Sequence, residues 1–219
     1  MKIQPIVEGH GDEKAVPVLL RRFSELSGLY GIEIGKPIRI NKGHLTREDL
    51  LRKSVQLALR QPGCGSVFIL FDGDDDCPKE IGPRVQAWAQ SEAHSIPTAV
   101  IVAKREFEAW FLAAMESLRG KRRIRPDATS VPDPESVRGA KERIEQSMLP
   151  ARRGQRPGYL ERTDQPAFTA IFDMPSAYRA CRSFRRAVRA FGLLAEATGI
   201  QIAVWPPPDW KQEPSGPSA

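Results

Sequence analysis

The chain has 219 residues, 41% of them hydrophobic and 27% charged, which suits one domain with at most an appendage and excludes wholesale disorder. Net charge is +6, from 33 basic and 27 acidic residues, a mild lean towards polyanions. Three separated cysteines and three histidines without a shared ligand spacing exclude a disulfide framework, a zinc finger and a zinc protease. No apolar run approaches the roughly 18–20 residues of a membrane span, and Glu8 comes too early for a signal-peptide core. A soluble, cytoplasmic protein without a membrane partner is expected.

Residues 2–7 read as a strand ending at Glu8-Gly9-His10-Gly11. Asp12 is placed to cap the following helix, whose apolar face is Val16, Leu19, Leu20 and Phe23. Alternation over 32–40 predicts a second strand, and Thr46 is expected to cap a helix carrying Leu50, Leu51, Val55 and Leu59. Residues 66–71 are almost continuously apolar, as in a strand buried on both faces, and run into Asp72-Gly73-Asp74-Asp75-Asp76. A helix over 81–93, a strand over 98–103 and a helix over 105–118 complete a βαβαβαβα order. That order predicts an α/β fold, a mainly parallel sheet flanked by helices, over residues 1–118. Residues 119–204 read as a helical, Arg-rich extension packed on this core. It holds basic stretches at 119–125 and 152–158, helices over 135–148 and 175–198, and a short strand over 201–205. The Pro-rich tail, 205–219, is expected to be disordered.

Ligands of open α/β sheets bind outside the carboxyl ends of the strands. Two such ends are acidic here, at Glu8 and at Asp72, Asp74 and Asp76. Bare carboxylates repel one another, and a hard divalent cation such as Mg²⁺ makes such a cluster favourable. A polar turn is the plain alternative for 72–76, and a helix cap the plain alternative for Asp12. The glycines beside His10 lack the third glycine of a dinucleotide fingerprint and the Gly-Lys-Ser/Thr of a P-loop. Lys104, Arg105 and Glu106 follow the fourth strand and share its sheet edge, Glu106 as a further candidate ligand. Glu106 and Glu108 would equally suit the first turn of a helix. Arg122, Arg123, Arg153, Arg182 and Arg186, with Arg105, are candidate phosphate contacts; a solvated basic face is the bland alternative.

Val7-Glu8-Gly9 and Phe71-Asp72-Gly73-Asp74 resemble the Toprim domain shared by topoisomerases, primases and OLD-type nucleases. A longer series resembles a Toprim-like family of bacterial proteins, domain-of-unknown-function family 4276. It runs through Glu8 to Glu13, Asp72 to Pro78, Arg105-Glu106-Phe107-Glu108-Ala109-Trp110, Thr163-Asp164-Gln165-Pro166 and Arg182-Ser183-Phe184, nearly the whole chain except the tail. The resemblance implies a Toprim (Rossmann-like) fold and Mg²⁺- or Mn²⁺-dependent phosphodiester chemistry. Glu8 would serve in acid/base catalysis or metal binding, and Asp72 and Asp74 would bind metal. Asp12 fills an acidic position four residues after Glu8, and Asp76 is suited to a second metal. An ATPase partner in anti-phage defence is also implied.

The expected function is therefore a metal-dependent nuclease acting on DNA or RNA, with Lys104 or Arg105 neutralising the transition state. One alternative is a non-catalytic subunit that binds nucleic acid or an ATPase. Another is a phosphatase of the haloacid dehalogenase type, which leaves Glu8 unexplained and meets Asp76 where threonine or valine is usual. Homo-oligomerisation stays open.

Overall fold

The protein, in a computed structural model, is described over residues 2–151, 154 and 158–212. Its sheet comprises β1 (Lys2–Val7), β2 (Glu33–Ile34), β3 (Ile38–Arg39), β4 (Cys64–Asp72) and β5 (Thr98–Ala103). β1 lies between β4 and the two short strands β2 and β3, β5 flanks β4, and every pair is parallel. The chain leaves β1 for β2 through α1 (Asp12–Leu26). It returns across β1 to β4 through α2 (Lys42–Leu45) and α3 (Glu48–Leu59), and reaches β5 through α4 (Pro78–Ala93). The strand order reverses between β1 and β4, so a crevice opens at their carboxyl ends.

The period-two alternation of β4 explains its apolar run. Phe68 and Leu70 join the core on the α1 side, while Val67, Ile69 and Phe71 join the core under α3 and α4. The α/β fold with a parallel sheet flanked by helices is thus observed. No helix among the described residues is long and apolar enough to cross a membrane.

The second half contributes α5 (Ala109–Leu112), α6 (Ala140–Gln146), α7 (Glu161–Thr169), α8 (Met174–Ala180) and α9 (Arg182–Ala197). It packs through aromatic rings rather than through a separate core. Trp110 meets Phe184 at 5.1 Å between centroids, Phe111 meets Phe168 and Phe172 at 5.6 and 5.4 Å, and Phe23 meets Phe191 at 5.6 Å. All seven rings are buried in one cluster spanning both sides of residue 118.

Several elements differ from expectation, each for a local reason. The strand over 32–40 is split because the Gln4 amide donates to the Lys36 carbonyl at 2.7 Å, and Pro37 has no N–H for a ladder. Asn41, not Thr46, caps a helix, its side chain accepting from the Gly43 N–H at 2.8 Å. The helix over 105–118 shrinks to α5 and a 3₁₀ turn, Met115–Leu118, because the Phe107 N–H is taken by Asp72. The helix over 175–198 breaks at Cys181, where the Glu135 carboxylate accepts from the Arg182 and Ser183 N–H groups at 3.0 and 2.7 Å and caps α9. The helix over 135–148 is reduced to α6, since Glu135 is spent on that cap and Gly139 takes φ +68°. No strand forms over 201–205. The tail is ordered as far as 212: Trp210 is buried against Phe184 and Tyr178, and the Trp205 indole donates to the Val188 carbonyl at 2.7 Å. Residues 213–219 lie outside the described residues, as does Arg153.

The open edge of β5 is closed by side chains. Gln86 donates to the Thr98 carbonyl and accepts from the Val100 N–H, both at 2.8 Å. Gln90 accepts from the Thr98 N–H at 3.2 Å and donates to the Ile96 carbonyl at 3.2 Å. Two glutamines thus stand where a neighbouring strand would bond. Gln86→Ala with Gln90→Ala should cost about 1–3 kcal/mol for each polar group left unpaired. Urea denaturation should register that loss, and light scattering should show self-association through the bared edge.

Candidate functional site

Parallel pairing brings Val7 opposite Leu70, so Glu8 and Asp72 emerge side by side. The Asp72 N–H donates to Glu8 Oε2 at 3.3 Å. Asp72 continues the parity of Phe68 and Leu70 and lies on the α1 side, where Oδ1 accepts from the Phe107 N–H at 2.9 Å. Asp12, the first residue of α1, does not cap its own helix. Its Oδ2 accepts from the Gly9 N–H and its Oδ1 from the Gln165 amide, both at 2.8 Å. Glu8, Gly9, Asp12, Asp72, Glu108, Lys141, Glu161 and Gln165 together line a cavity of about 150 Å³.

Glu108 enters from the start of α5 and is 1% exposed. Its Oε1 accepts from the Tyr159 hydroxyl at 2.9 Å, and its Oε2 is buried with no partner among the described residues. Lys141 on α6 is the only cation among the residues lining the cavity, and its Nζ lies 2.6 Å from Glu161 Oε1.

The electrostatics follow from burying carboxylates together. Burial pushes Asp72 well above the usual aspartate range, and Asp12 and Glu108 push it further. Burial raises Asp12 against the Gly9 and Gln165 hydrogen bonds, and raises Glu8 against the Asp72 N–H. Glu108 is pushed up to about 8, chiefly by burial. For Lys141, burial pulls the ammonium down, but Glu108, Glu161 and Asp72 raise it overall.

The expected residues divide. Glu8, Asp12 and Asp72 meet in the cavity. Asp74 and Asp76 do not: Asp74 has φ +50°, and the turn hands both carboxylates to Lys42 on α2, at 2.7 and 3.3 Å. The Asp-Xaa-Asp pair is therefore split between two faces of the sheet edge, which also removes the juxtaposition a phosphatase would need. Glu106 accepts from the Ala140 N–H at 3.0 Å and sets the start of α6, while Glu108, two residues on, reaches the cavity. Lys104 is exposed and Arg105 is held on Asp75 and the Asp74 carbonyl, so neither lines the cavity.

Arg122 is paired with Asp164 at 2.7 Å, and Arg123 donates to the Gly158 carbonyl at 3.2 Å. Both are tied into the α7 approach. Arg182 and Arg186 are exposed on α9 and neither lines the cavity, Arg186 lining a groove beside β5 instead. Lys141, Glu161 and Gln165 are the residues that sequence reasoning missed. Their only signals were the Gln165 within Thr163-Asp164-Gln165-Pro166 and, for Glu108, a carboxylate inside an otherwise apolar Phe107–Phe111 stretch.

Among the described residues, no three His, Cys, Asp or Glu side chains form a ready-made metal cage. The hydrogen bonds from Phe107, Gly9, Gln165 and Tyr159 hold the carboxylates apart. The carboxylates present only oxygen donors, and one of their buried oxygens, Glu108 Oε2, has no partner among the described residues.

A doubly wound parallel α/β protein with a carboxylate-lined cavity at its switch point is the class these features define. The chain belongs to the DUF4276 family, a domain of unknown function, whose family model matches residues 7–191. Comparison with curated proteins and with solved structures gives no match.

Because the buried carboxyls bind protons more tightly in the folded state, their contribution to stability is fully present below the ordinary glutamate value of 4.5 and is lost as pH rises through about 8. The loss should amount to a few kcal/mol between about pH 5 and about pH 9 in EDTA, read from urea midpoints. Glu108→Gln should flatten that fall; an unchanged slope would mean that Glu108 is not buried as described.

Proposed function

We propose that this protein is a metal-dependent nuclease that hydrolyses phosphodiester bonds of DNA or RNA. In this reading it is the cytoplasmic effector subunit of a bacterial anti-phage system and works with an ATPase. The observation that carries the proposal is Glu108 Oε2, a buried oxygen with no partner among the described residues, in a cavity shared with Glu8, Asp12 and Asp72. Five carboxyl groups line the cavity with one ammonium, Lys141, which is paired with Glu161, and a divalent cation would offset the charge of the other four. The resemblance to Toprim proteins at Glu8-Gly9 and Asp72-Gly73-Asp74 supports the same chemistry.

Glu8, Asp12, Asp72 and Glu108 would hold Mg²⁺ or Mn²⁺. Bound there, the metal supplies Lewis-acid activation of water and of the scissile phosphate. This ion typically keeps several waters and a substrate phosphate among its ligands, so a closed protein cage is not required. Glu8 is partly exposed and keeps one oxygen on the Asp72 N–H, leaving Oε1 to exchange a proton with water. Lys141, steadied by Glu161, offers positive charge to the phosphate, the role expected of Lys104. Asp74 and Asp76, paired with Lys42, hold the loop rather than the ion.

A second reading is a non-catalytic subunit that binds nucleic acid or an ATPase. It is favoured by Lys141 and Lys42, which already neutralise part of the acidic edge without an ion. One set of measurements separates the two. Supercoiled plasmid, linear DNA and RNA should be cleaved in Mg²⁺ or Mn²⁺ but not in EDTA. Asp72→Asn and Glu108→Gln should each lower the rate by about a hundredfold or more. Asp74→Asn should lower it far less. A melting temperature that rises with Mg²⁺ in wild type but not in Asp72→Asn, with no cleavage of any polymer, would favour the second reading. Absence of both effects would sink the metal site itself.

A further inference from the structure

The opposite edge of the sheet from β5 carries a groove of about 460 Å³ between α1 and the β2–β3 segment. It is lined by Glu13, Lys14, Pro17, Arg21, Ile34, Gly35, Lys36 and Pro37. Lys14 and Arg21 lie two turns apart on the same side of α1, and all three cations, Lys14, Arg21 and Lys36, are exposed. Among the described residues none of the three has a hydrogen-bond or ion-pair partner for its side chain. Arg105, Arg122 and Arg125 contrast with them, each spent on an aspartate of the chain itself. An unpaired cation in a concave surface retains its full charge for a ligand, whereas a paired one must first give up its partner.

The groove also leads to the cavity. Ile38 and Arg39 pair with Ile6 and Val7, so the β3 edge climbs beside β1 to the strand end that carries Glu8. Glu13, on the groove wall, directly follows Asp12 on the cavity wall, and it is already paired with Arg39 at 3.4 Å. A polyanion lying over Lys36, Arg21 and Lys14 would be delivered to the open end of the carboxylate cavity. The β5 edge also has a basic groove, where Arg185, Arg186 and Arg189 stand over an apolar floor, but Arg185 is spent on the Tyr178 and Arg179 carbonyls, and none of the groove's lining residues lines the carboxylate cavity or adjoins in sequence one that does.

We propose that the α1/β2–β3 groove is the track for the phosphodiester backbone of the nucleic acid, with Lys14, Arg21 and Lys36 as its phosphate contacts. This rests on the nuclease reading above, and names the surface by which substrate reaches that site. Contacts of this kind set register and affinity without reading bases, so affinity falls steeply with salt.

The test is fluorescence anisotropy in EDTA, where no cleavage occurs, with a labelled DNA duplex and a labelled single-stranded RNA of similar length, titrated over NaCl. Lys14→Glu with Lys36→Glu should weaken binding about tenfold or more and lower the salt slope by about two. Lys14→Gln with Lys36→Gln should move both readings the same way by less. The control is Lys53→Glu with Arg60→Glu, an equal charge change at exposed positions of α3 and its end, and it should leave the slope near wild type. Melting temperatures should match throughout, since the substituted side chains are exposed. Wild type that binds while the groove variants bind equally well would overturn the track and leave the nuclease reading standing. Equal losses in groove and control variants would also overturn it, as a net-charge effect. Wild type that neither binds nor cleaves any polynucleotide would overturn the track and the nuclease reading together.

Discussion

Burying carboxylates at the ends of β1 and β4 is the constraint on which the rest of this structure depends. An ionised carboxyl taken out of water costs several kcal/mol, recovered only through good partners. The partners here come from far apart in the sequence. The Phe107 N–H reaches Asp72 from beyond β5, Gln165 reaches Asp12 from α7, and Tyr159 reaches Glu108 from the loop before α7. Lys141 arrives from α6. The second half of the chain is therefore the source of most of the groups that make the acidic end of the sheet tolerable.

Delivering those groups requires that the extension sit on the sheet in one way. The aromatic cluster supplies that fixity. Phe107, Trp110 and Phe111 flank Glu108 and interlock with Phe168, Phe172 and Phe184, so the segment bearing Glu108 is clamped next to it in sequence. Trp110 is anchored further by its indole N–H on Ser183 at 2.8 Å, and Ser183 is itself fixed by Glu135. Apolar packing and two buried hydrogen bonds thus pre-position a charged site that could not assemble itself, since its own members repel.

Much of the sheet was legible because its cause is local. β1, β4 and β5 announce themselves through apolar runs, and their ends through the abrupt change to Glu8 and Asp72. The failures share a different cause. Asp72, Glu106 and Glu135 each bind backbone N–H groups of distant segments, and each such bond starts, shortens or breaks a helix that periodicity alone would extend. The same holds for the site. Glu8, Asp12 and Asp72 could be read from strand ends, whereas the choice of Glu108 over Glu106 turns on which carboxylate the α6 start captures. Lys141 and Gln165 stand on helices whose docking no spacing in the chain reveals. Asp74 shows the reverse error: a compact motif looks like one unit, yet a left-handed residue sends its second carboxylate to Lys42.

The charge distribution then limits how a ligand can enter. The net charge of +6 is spread over the surface, and much of it is tied up in internal pairs, while the cavity concentrates negative charge around a single ammonium. A phosphate approaching the open end meets attraction outside and repulsion inside. On the nuclease reading, that repulsion is removed only when the carboxylates are neutralised, so cation and phosphate each improve the site for the other. Such coupling is reciprocal by thermodynamic necessity. On that reading the site holds neither ligand firmly alone, and the burial that makes its carboxyls prefer protons would make divalent cations compete with protons for them. On that reading, substrate entry, metal binding and proton release at the β1–β4 crevice form one linked equilibrium, set by how many carboxylates the fold buries there.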